Sequence, residues 1–266
     1  MCESIANPGQ MRILICNDDG IDAQGLYLLE KIARTFSEDV WVVAPETEQS
    51  GASHSLTLHR PLRLRTRDTR HYTIDGTPSD CVLLAINRLL QDHKPDLVLA
   101  GINCGGNLGE DVHYSGTVAA AMEGTLLGIR ALALSQVFTA PWPVRWDTAE
   151  RFLPGILRAV IGGPWDRNVL LNVNFPDVDP DAVSGVAIVH QGKRKIGDYL
   201  EERVDPRGRP YIWISGQRRE DRHKPGTDLE AICRGAITIT PLVVDWTHVP
   251  TLEALQETFC AFQKDS

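Results

Sequence analysis

Short apolar runs that alternate with amphipathic segments constrain the fold of this chain more than any other feature. Each run suits a strand buried on both faces, and most are followed by apolar residues spaced for one face of a helix. Repeated alternation of this kind predicts right-handed crossovers and a mainly parallel sheet with helices on both faces, which is an α/β fold. The predicted strands of this series are 13–16, 40–44, 97–100, 131–134 and 169–173.

Other local patterns add detail to this outline. Thr77 and Pro78 predict the capped start of a helix that runs to about Leu90. The stretch 147–160 is amphipathic, but it contains Pro154, which should kink or divide the helix. Three further short stretches have the pattern of strands: 56–58, 62–64 and 71–75.

The pattern changes near Pro176, where the alternation with helices ends. Between residues 185 and 240, short alternating stretches flank a charged segment rich in glycine and proline. We predict antiparallel strands and hairpins there, appended to the core, with long arms that suit contact between subunits. Residues 251–262 carry apolar side chains at helical spacing and predict an amphipathic C-terminal helix.

This organisation divides the chain into three parts. Residues 1–10 are polar and are expected to form a loose extension. Residues 11–247 are expected to form the main domain, with a core of about 11–176 and the appended hairpin region of about 185–240. The C-terminal helix is assigned to 248–266.

The composition of the chain limits the classes of protein to which it can belong. The chain has 266 residues and a net charge of −8, so it has no general attraction to nucleic acid or to an anionic membrane. No apolar run approaches the roughly 20 residues of a membrane span, and the first ten residues lack the features of a signal peptide. The six cysteines form no C-x-x-C pair and are interpreted as reduced thiols. Together these observations predict a soluble, cytoplasmic protein.

An acidic turn ends the first apolar run, where Asp18 and Asp19 stand between Asn17 and Gly20. Two adjacent carboxylates at the end of a buried strand would repel each other and lose hydration. That arrangement is tolerable if a cation lies between them. The alternative is that both residues cap the following helix and lie in water, and this stretch alone leaves both interpretations open.

Polar residues follow two more of the predicted strands. Ser50 lies in the loop after the second strand, and Asn103 and Asn107 follow the strand that ends at Ala100. In an open parallel sheet these loops emerge at one edge, where such folds bind ligands. Carboxylate, hydroxyl and amide oxygens favour Mg²⁺, Mn²⁺ or Ca²⁺ over zinc or copper.

A candidate anion site lies further along the chain. Ser115, Gly116 and Thr117 open a helix of small residues, where backbone N–H groups and two hydroxyls are available to an anion. A divalent cation beside an anion site indicates phosphate chemistry. Taken singly, Ser50 is an ordinary loop hydroxyl, Asn103 a turn residue and Ser115 a helix cap, so only their joint placement favours function.

Familiar nucleotide motifs do not occur. The chain has no G-x-x-x-x-G-K-[ST], no G-x-G-x-x-G after the first strand and no G-x-S-x-G. These absences exclude a P-loop enzyme, a dinucleotide-binding fingerprint and an α/β-hydrolase nucleophile elbow.

Five ordered segments of the chain have a familiar sequence: MRILICNDDGIDAQGL, VVAPETEQSGASHSLTL, IDGTPSDCV, AGINCGGNLGEDVHYSGTVAAAMEG and PGTDLEAICRGAITITPL. Through these segments nearly the whole chain, from Met11 to about Thr247, resembles the SurE family of survival-protein 5′-nucleotidases. The resemblance implies a Rossmann-like, doubly wound core with an appended region that exchanges elements between subunits to give a homodimer or homotetramer.

The resemblance also implies an activity. Family members are divalent-metal-dependent phosphatases that act on nucleoside 5′-monophosphates, and some also take 3′-monophosphates and short polyphosphate. We therefore expect a 5′-nucleotidase, a phosphoric monoester hydrolase, with one Mg²⁺ or Mn²⁺ per subunit. Attack by a metal-activated water is expected, and a covalent aspartyl-phosphate route stays open.

Site residues follow from the family motifs. Asp18 and Asp19 are assigned to catalysis and, with Ser50 and Asn103, to metal binding. The phosphate-binding residues are Asn107, Ser115, Gly116 and Thr117. The chain departs from the usual family residues at Ala100, Cys104 and Gly105-Gly106, which adjoin the site and bear on substrate preference.

Two other functions are weighed against this one. A nucleotide- or metal-binding protein without turnover would keep the same cleft. An RNA-binding protein would use the basic stretches 193–195 and 218–224, but the acidic total argues against nucleic acid as a partner.

Overall fold

The computed structural model describes residues 11–139, 143–196, 200–214, 218–220 and 224–260. The expected loose extension 1–10 lies outside these ranges. The strands in chain order are β1 (Ile13–Cys16), β2 (Val40–Pro45), β3 (Leu64–Thr66), β4 (His71–Ile74), β5 (Leu97–Cys104), β6 (Arg130–Gln136), β7 (Val169–Phe175), β8 (Val186–Ile188), β9 (Arg194–Ile196), β10 (Leu200–Val204), β11 (Pro210–Ile214), β12 (Arg218–Glu220) and β13 (Ile237–Val243). The helices are α1 (Gln24–Ala33), α2 (Pro78–Leu84), α3 (Gly116–Leu126), α4 (Asp147–Ile161), α5 (Asp228–Cys233) and α6 (Val249–Thr258).

Nine strands of the described chain form one sheet, in the order β3-β4-β2-β1-β5-β6-β7-β13-β8. β1 pairs in parallel with both β2 and β5, and β6 and β7 continue the parallel series. The strand order reverses beside β1, because the chain passes from β1 to β2 on one side and later returns to β5 on the other. Ligands bind at such switch points in α/β sheets. The predicted α/β, doubly wound fold is confirmed.

Two separate hydrophobic cores cover the faces of the sheet, and β1 contributes to both. Ile13 and Ile15 belong to the core beneath α1 and α4, whereas Leu14 and Cys16 belong to the core beneath α2 and α3. This alternation follows from the two-residue period of a strand. Because all four side chains are buried, the strand reads as a continuous apolar run in the sequence.

The prediction for residues 185–240 is partly wrong. β8 and β13 are not appended hairpins but the last two strands of the main sheet, and they pair with each other in parallel. β13 also pairs with β7 in antiparallel register, from Thr238 opposite Asn174 to Val243 opposite Val169. Antiparallel pairs outside the main sheet are present as β9 with β12 and β10 with β11.

Several predicted boundaries differ from the structure. Residues 56–58 form no strand, and the strand predicted at 62–64 begins two residues later than predicted, as β3 from Leu64 to Thr66. The helix predicted to reach Leu90 changes after Leu84 into a π-helical turn, Ala85–Leu89. The C-terminal helix α6 is exposed, and the predicted residues 261 and 262 lie outside the described ranges.

Pro154 does not divide α4, which runs from Asp147 to Ile161. Proline removes one backbone hydrogen bond from the interior of a helix. The helix nevertheless packs Leu153, Ile156 and Leu157 into the core, and this burial outweighs the lost bond. Among the described helices, none has the length and apolar composition that crossing a membrane requires.

Candidate functional site

The turn after β1 is shaped by Asn17 and Gly20. The Asn17 side-chain amide donates a hydrogen bond of 2.8 Å to the Gly20 carbonyl. Gly20 has φ +97°, a conformation that glycine adopts without strain. The backbone N–H of Ile21 then bonds to Pro45 O at 3.0 Å, so the turn lies against the end of β2. The local sequence thus fixes where Asp18 and Asp19 stand.

The loop after β2 and the end of β5 both reach this turn. The Gln49 N–H donates to the main-chain oxygen of Asp18 at 2.8 Å, which brings the loop that carries Ser50. The Cys104 N–H donates to Asp19 Oδ2 at 3.1 Å, which brings the residue next to Asn103. The turn after β1, the loop after β2 and the end of β5 therefore meet at the two adjacent carboxylates.

The start of α3 also contacts this point. The Thr117 hydroxyl donates a hydrogen bond to Asp18 Oδ1. Gly116 lies so close that a Cβ at this position would stand 2.7 Å from the Asp18 Cβ. Ser115 caps the helix, because its hydroxyl oxygen accepts from the Val118 N–H at 3.1 Å. The carboxylate of Asp18 thus lies at the positive end of the α3 dipole.

These contacts bear on the predicted phosphate-binding residues. The sequence placed Ser115 and Thr117 together at a helix start, and the structure does the same. The Thr117 hydroxyl, however, already donates its proton to Asp18, whereas Ser115 Oγ accepts from the Val118 N–H and keeps its own proton to donate. The helix start therefore serves first to hold one of the two carboxylates.

Both carboxylates lie in an environment that disfavours their charge. Burial raises the pKa of Asp18 to about 6, against the lowering effect of the Thr117 hydrogen bond and with a further increase from Asp19. Burial also raises the pKa of Asp19, which the Cys104 N–H opposes and the charge of Glu48 reinforces. Within the described ranges, neither carboxylate pairs with a lysine, arginine or histidine. A divalent cation would supply the missing positive charge.

Ser50 and Asn103 differ in how they approach the carboxylates. The Ser50 hydroxyl donates to Glu48 Oε1 at 2.7 Å, which leaves its oxygen lone pairs for a cation. Asp19, Glu48 and Ser50 line one cavity of about 460 Å³. The Asn103 amide nitrogen donates to Gly105 O at 2.7 Å, so Oδ1 is the atom available to a cation. Within the described ranges, no group of three or more His, Cys, Asp or Glu side chains is arranged to hold a metal ion, so hydroxyl and amide oxygens would have to complete a site at Asp18 and Asp19.

Asn107 is buried and held from several sides. Its N–H donates to Asn174 Oδ1 at 2.8 Å, and its side-chain nitrogen donates to Ser135 at 2.9 Å. Its carbonyl accepts from the side chains of Asn172 and Asn174. Sequence reasoning missed this support, although two asparagines at alternate positions of an apolar strand are a visible signal of a buried polar contact. It also missed Glu48, two residues before Ser50 in the same loop.

Together these features define a Rossmann-like α/β protein with an acidic, oxygen-lined cleft at the carboxyl edge of its parallel sheet. Parallel strands that end in such a cleft bind ligands there.

Comparison with known proteins places the chain in a family. The family model described as "Survival protein SurE" matches residues 13–198. The chain is 61% identical to "5'-nucleotidase SurE" of Paramagnetospirillum magneticum, over 96% of this chain and 98% of that protein. It is 59% identical to the protein of the same name from Rhodospirillum rubrum, over 97% of this chain and 100% of that protein. The chain belongs to the SurE family.

A solved structure supports the same assignment. The crystal structure of the SurE protein from Aquifex aeolicus matches this fold with a TM-score of 0.81 at 37% identity. The match covers 93% of this chain and 99% of that one.

Proposed function

We propose that this protein is a 5′-nucleotidase that hydrolyses nucleoside monophosphates with the help of one divalent cation. The observation that carries the proposal is the meeting of the turn after β1, the loop after β2 and the end of β5 at two carboxylates. Asp18 is buried and Asp19 partly buried, and neither has a cationic partner in the described chain. The relatives named 5′-nucleotidase support the same reaction class.

The donor set fits a hard divalent ion such as Mg²⁺ or Mn²⁺. Asp18 and Asp19 would hold it with the Ser50 hydroxyl oxygen and Asn103 Oδ1. When bound, such an ion neutralises phosphoryl oxygens and activates water.

The two carboxylates have different surroundings and therefore different roles. Asp18 is only 5% exposed and is held by Thr117, so it anchors the site. Asp19 lines the cavity and keeps one carboxylate oxygen, Oδ1, beyond its bond from the Cys104 N–H. We assign to Asp19 the orientation of the attacking water and the acceptance of its proton.

The phosphate is held on the α3 side of the site. The positive end of α3 supports an anion there, and Gly116 lets the start of the helix lie against Asp18. Asn107, whose carbonyl is fixed by Asn172 and Asn174, contributes the side-chain N–H that remains beyond its bond to Ser135. Ser115 and Thr117 act mainly by shaping this helix start.

We extend the proposal to assembly and compartment. The hairpin β10–β11 and the region of α6 expose many apolar side chains, which support association as a homodimer or homotetramer. Free thiols at the described cysteines support the reducing cytoplasm. The exposed apolar residues are Leu200, Val204, Tyr211, Ile212, Trp213, Ile214, Val249, Leu252, Leu255 and Phe259.

Phosphate release from a panel of substrates tests the function. The panel holds nucleoside 5′- and 3′-monophosphates and short polyphosphate, each with EDTA and with Mg²⁺ or Mn²⁺ added back. We expect release from 5′-monophosphates that EDTA abolishes and metal restores. Nucleotide binding without release under every metal condition would instead identify a non-catalytic binding protein.

A further inference from the structure

The cavity that contains Asp19 has two chemically different walls. One wall carries oxygen atoms from Asp19, Glu48 and Ser50. The second group of lining side chains is apolar and consists of Phe138, Pro143, Val144 and Trp146, and we call it the apolar wall. A volume of about 460 Å³ lies within the range of small-molecule sites. A cavity of this kind suits a ligand with one charged end and one flat, apolar end.

The apolar wall is anchored to the fold by its two aromatic side chains. Trp146 precedes α4 and packs against the core beneath α1. Gly25 makes room for it, since a Cβ there would stand 2.9 Å from the Trp146 ring and 1.9 Å from the Ile102 carbonyl oxygen. Phe138 follows β6 by two residues, and its ring lies 4.0 Å from the position of a Cβ on Gly105. Both rings therefore lie at the rim where the carboxylates stand.

Two larger cavities of the described chain are poorer candidates for the same ligand. The one of about 660 Å³ reaches Ser115 and Trp246 but contains neither Asp18 nor Asp19. The one of about 770 Å³ lies between α4 and the β7–β13–β8 edge and contains none of the proposed site residues. Only the cavity at Asp19, among these three, joins proposed metal ligands to aromatic side chains.

We propose that the apolar wall binds the nucleobase of the substrate, with Trp146 and Phe138 as the residues that hold it. This rests on the proposed nucleotidase function, because the phosphate must lie at the carboxylates. Aromatic rings stack on the π-face of any base, so the wall contributes affinity without selecting one base. The exposed amide of Gln24, on the same cavity, provides a polar group for the base edge.

The test compares AMP with ribose 5-phosphate, which has the same phosphate ester and no base. For Trp146→Ala and Phe138→Ala we expect KM for AMP to rise about tenfold, with KM for ribose 5-phosphate unchanged. Trp146→Phe should keep most of the affinity for AMP, because it retains a ring. Trp246→Ala, in the 660 Å³ cavity, is the matched control and should leave both substrates unaffected.

Two results would overturn the proposal. One is an equal loss for both substrates in Trp146→Ala and Phe138→Ala, which would make the rings structural. The other is a rise in KM for AMP in Trp246→Ala alone, which would put the base in the other cavity.

A binding measurement separates this proposal from the proposed function. Adenosine carries no phosphate, so its titration into metal-free protein reports the base site alone. If the wild type releases no phosphate from AMP, the nucleotidase proposal fails. Adenosine binding that weakens in Trp146→Ala would then still support the base site, and binding that does not change would remove it.

Discussion

Thr117 donates its hydroxyl hydrogen bond to the carboxylate of Asp18, and the two residues are 99 positions apart in the chain. This bond ties the start of α3 to the turn after β1. A hydrogen bond to a charged, buried group contributes about 1.5–3 kcal/mol. It is therefore large enough to decide where the Asp18 carboxylate stands.

Replacement of Thr117 tests this bond. In Thr117→Val the carboxylate loses its side-chain donor, and we expect phosphate release to fall about 10- to 100-fold. Thr117→Ser keeps the hydroxyl and should retain most of the activity. The measurement is kcat and KM for AMP with saturating metal, and equal activity in Thr117→Val and wild type would contradict the role of the bond.

Of the two carboxylates, Asp19 is the one that lines the cavity. Asp19→Asn should abolish phosphate release while the fold stays intact, because the amide cannot accept the proton of water. Circular dichroism and thermal unfolding check the fold in the same samples. Full activity of this variant would remove the carboxylate from the mechanism.

Metal binding should also appear as a gain in stability. A cation that binds only the folded chain stabilises it by about 2.7 kcal/mol at a concentration 100 times its Kd. We expect Mn²⁺ to raise the Tm of the wild type and to raise it much less in Asp19→Asn. An equal shift in both proteins would mean that the ion binds elsewhere.

Gly116 tests the close approach of α3 to the acidic turn. Gly116→Ala would put a methyl group 2.7 Å from the Asp18 Cβ, and we expect a loss of about 1–3 kcal/mol in the free energy of unfolding. Gly155 is the matched control, because it lies inside α4 with no atom within 4 Å of an added Cβ. Gly155→Ala should stabilise the protein by about 0.5–1 kcal/mol. Urea unfolding measures both, and a neutral Gly116→Ala would contradict the packing described.

His71, which lies outside the candidate site, makes the free energy of unfolding depend on pH. Burial lowers its pKa, but hydrogen bonds to Glu30 at 2.9 Å and Asp68 at 2.7 Å outweigh this, so the pKa is raised above 6.5. The stabilisation is complete below 6.5 and is lost as the pH rises through the folded-state pKa. Because His71 is partly exposed and its partner Asp68 is exposed to solvent, screening reduces the effect to about 0.5 kcal/mol. His71→Gln should therefore lower the free energy of unfolding more at pH 6 than at pH 8.5, as measured with urea.

The meeting of Asp18, Asp19, Ser50 and Asn103 at one edge of the sheet could be predicted from the sequence. The reason is that the local pattern of apolar residues shows where each strand ends. The run that ends before Asp18 has the period and composition of a buried strand, and the same holds for the strand before Ser50. Once the strands are parallel, their ends must meet at one edge. The strand before Asn103 was predicted too short, because glycine at 101 looked like the start of a loop, yet β5 resumes pairing with β6 at Asn103.

Other features depend on contacts between distant segments and leave no local signal. The pairing of β8 with β13 is parallel, although both segments looked like parts of hairpins. Phe138 and Trp146 lie in a stretch without helix or strand periodicity, so nothing in the sequence indicated that both would face Asp19. The hydrogen bond from Thr117, at the start of α3, to Asp18 joins two segments that are distant in the sequence, so it could not be predicted from either segment alone.

β1 supplies alternate side chains to the cores on both faces of the sheet, and the acidic turn begins one residue after it ends. Neither helix layer can therefore melt alone without loosening the strand that carries the carboxylates. On heating, we therefore expect no partly unfolded form that keeps its activity. The temperature at which activity is lost should equal the temperature of global unfolding.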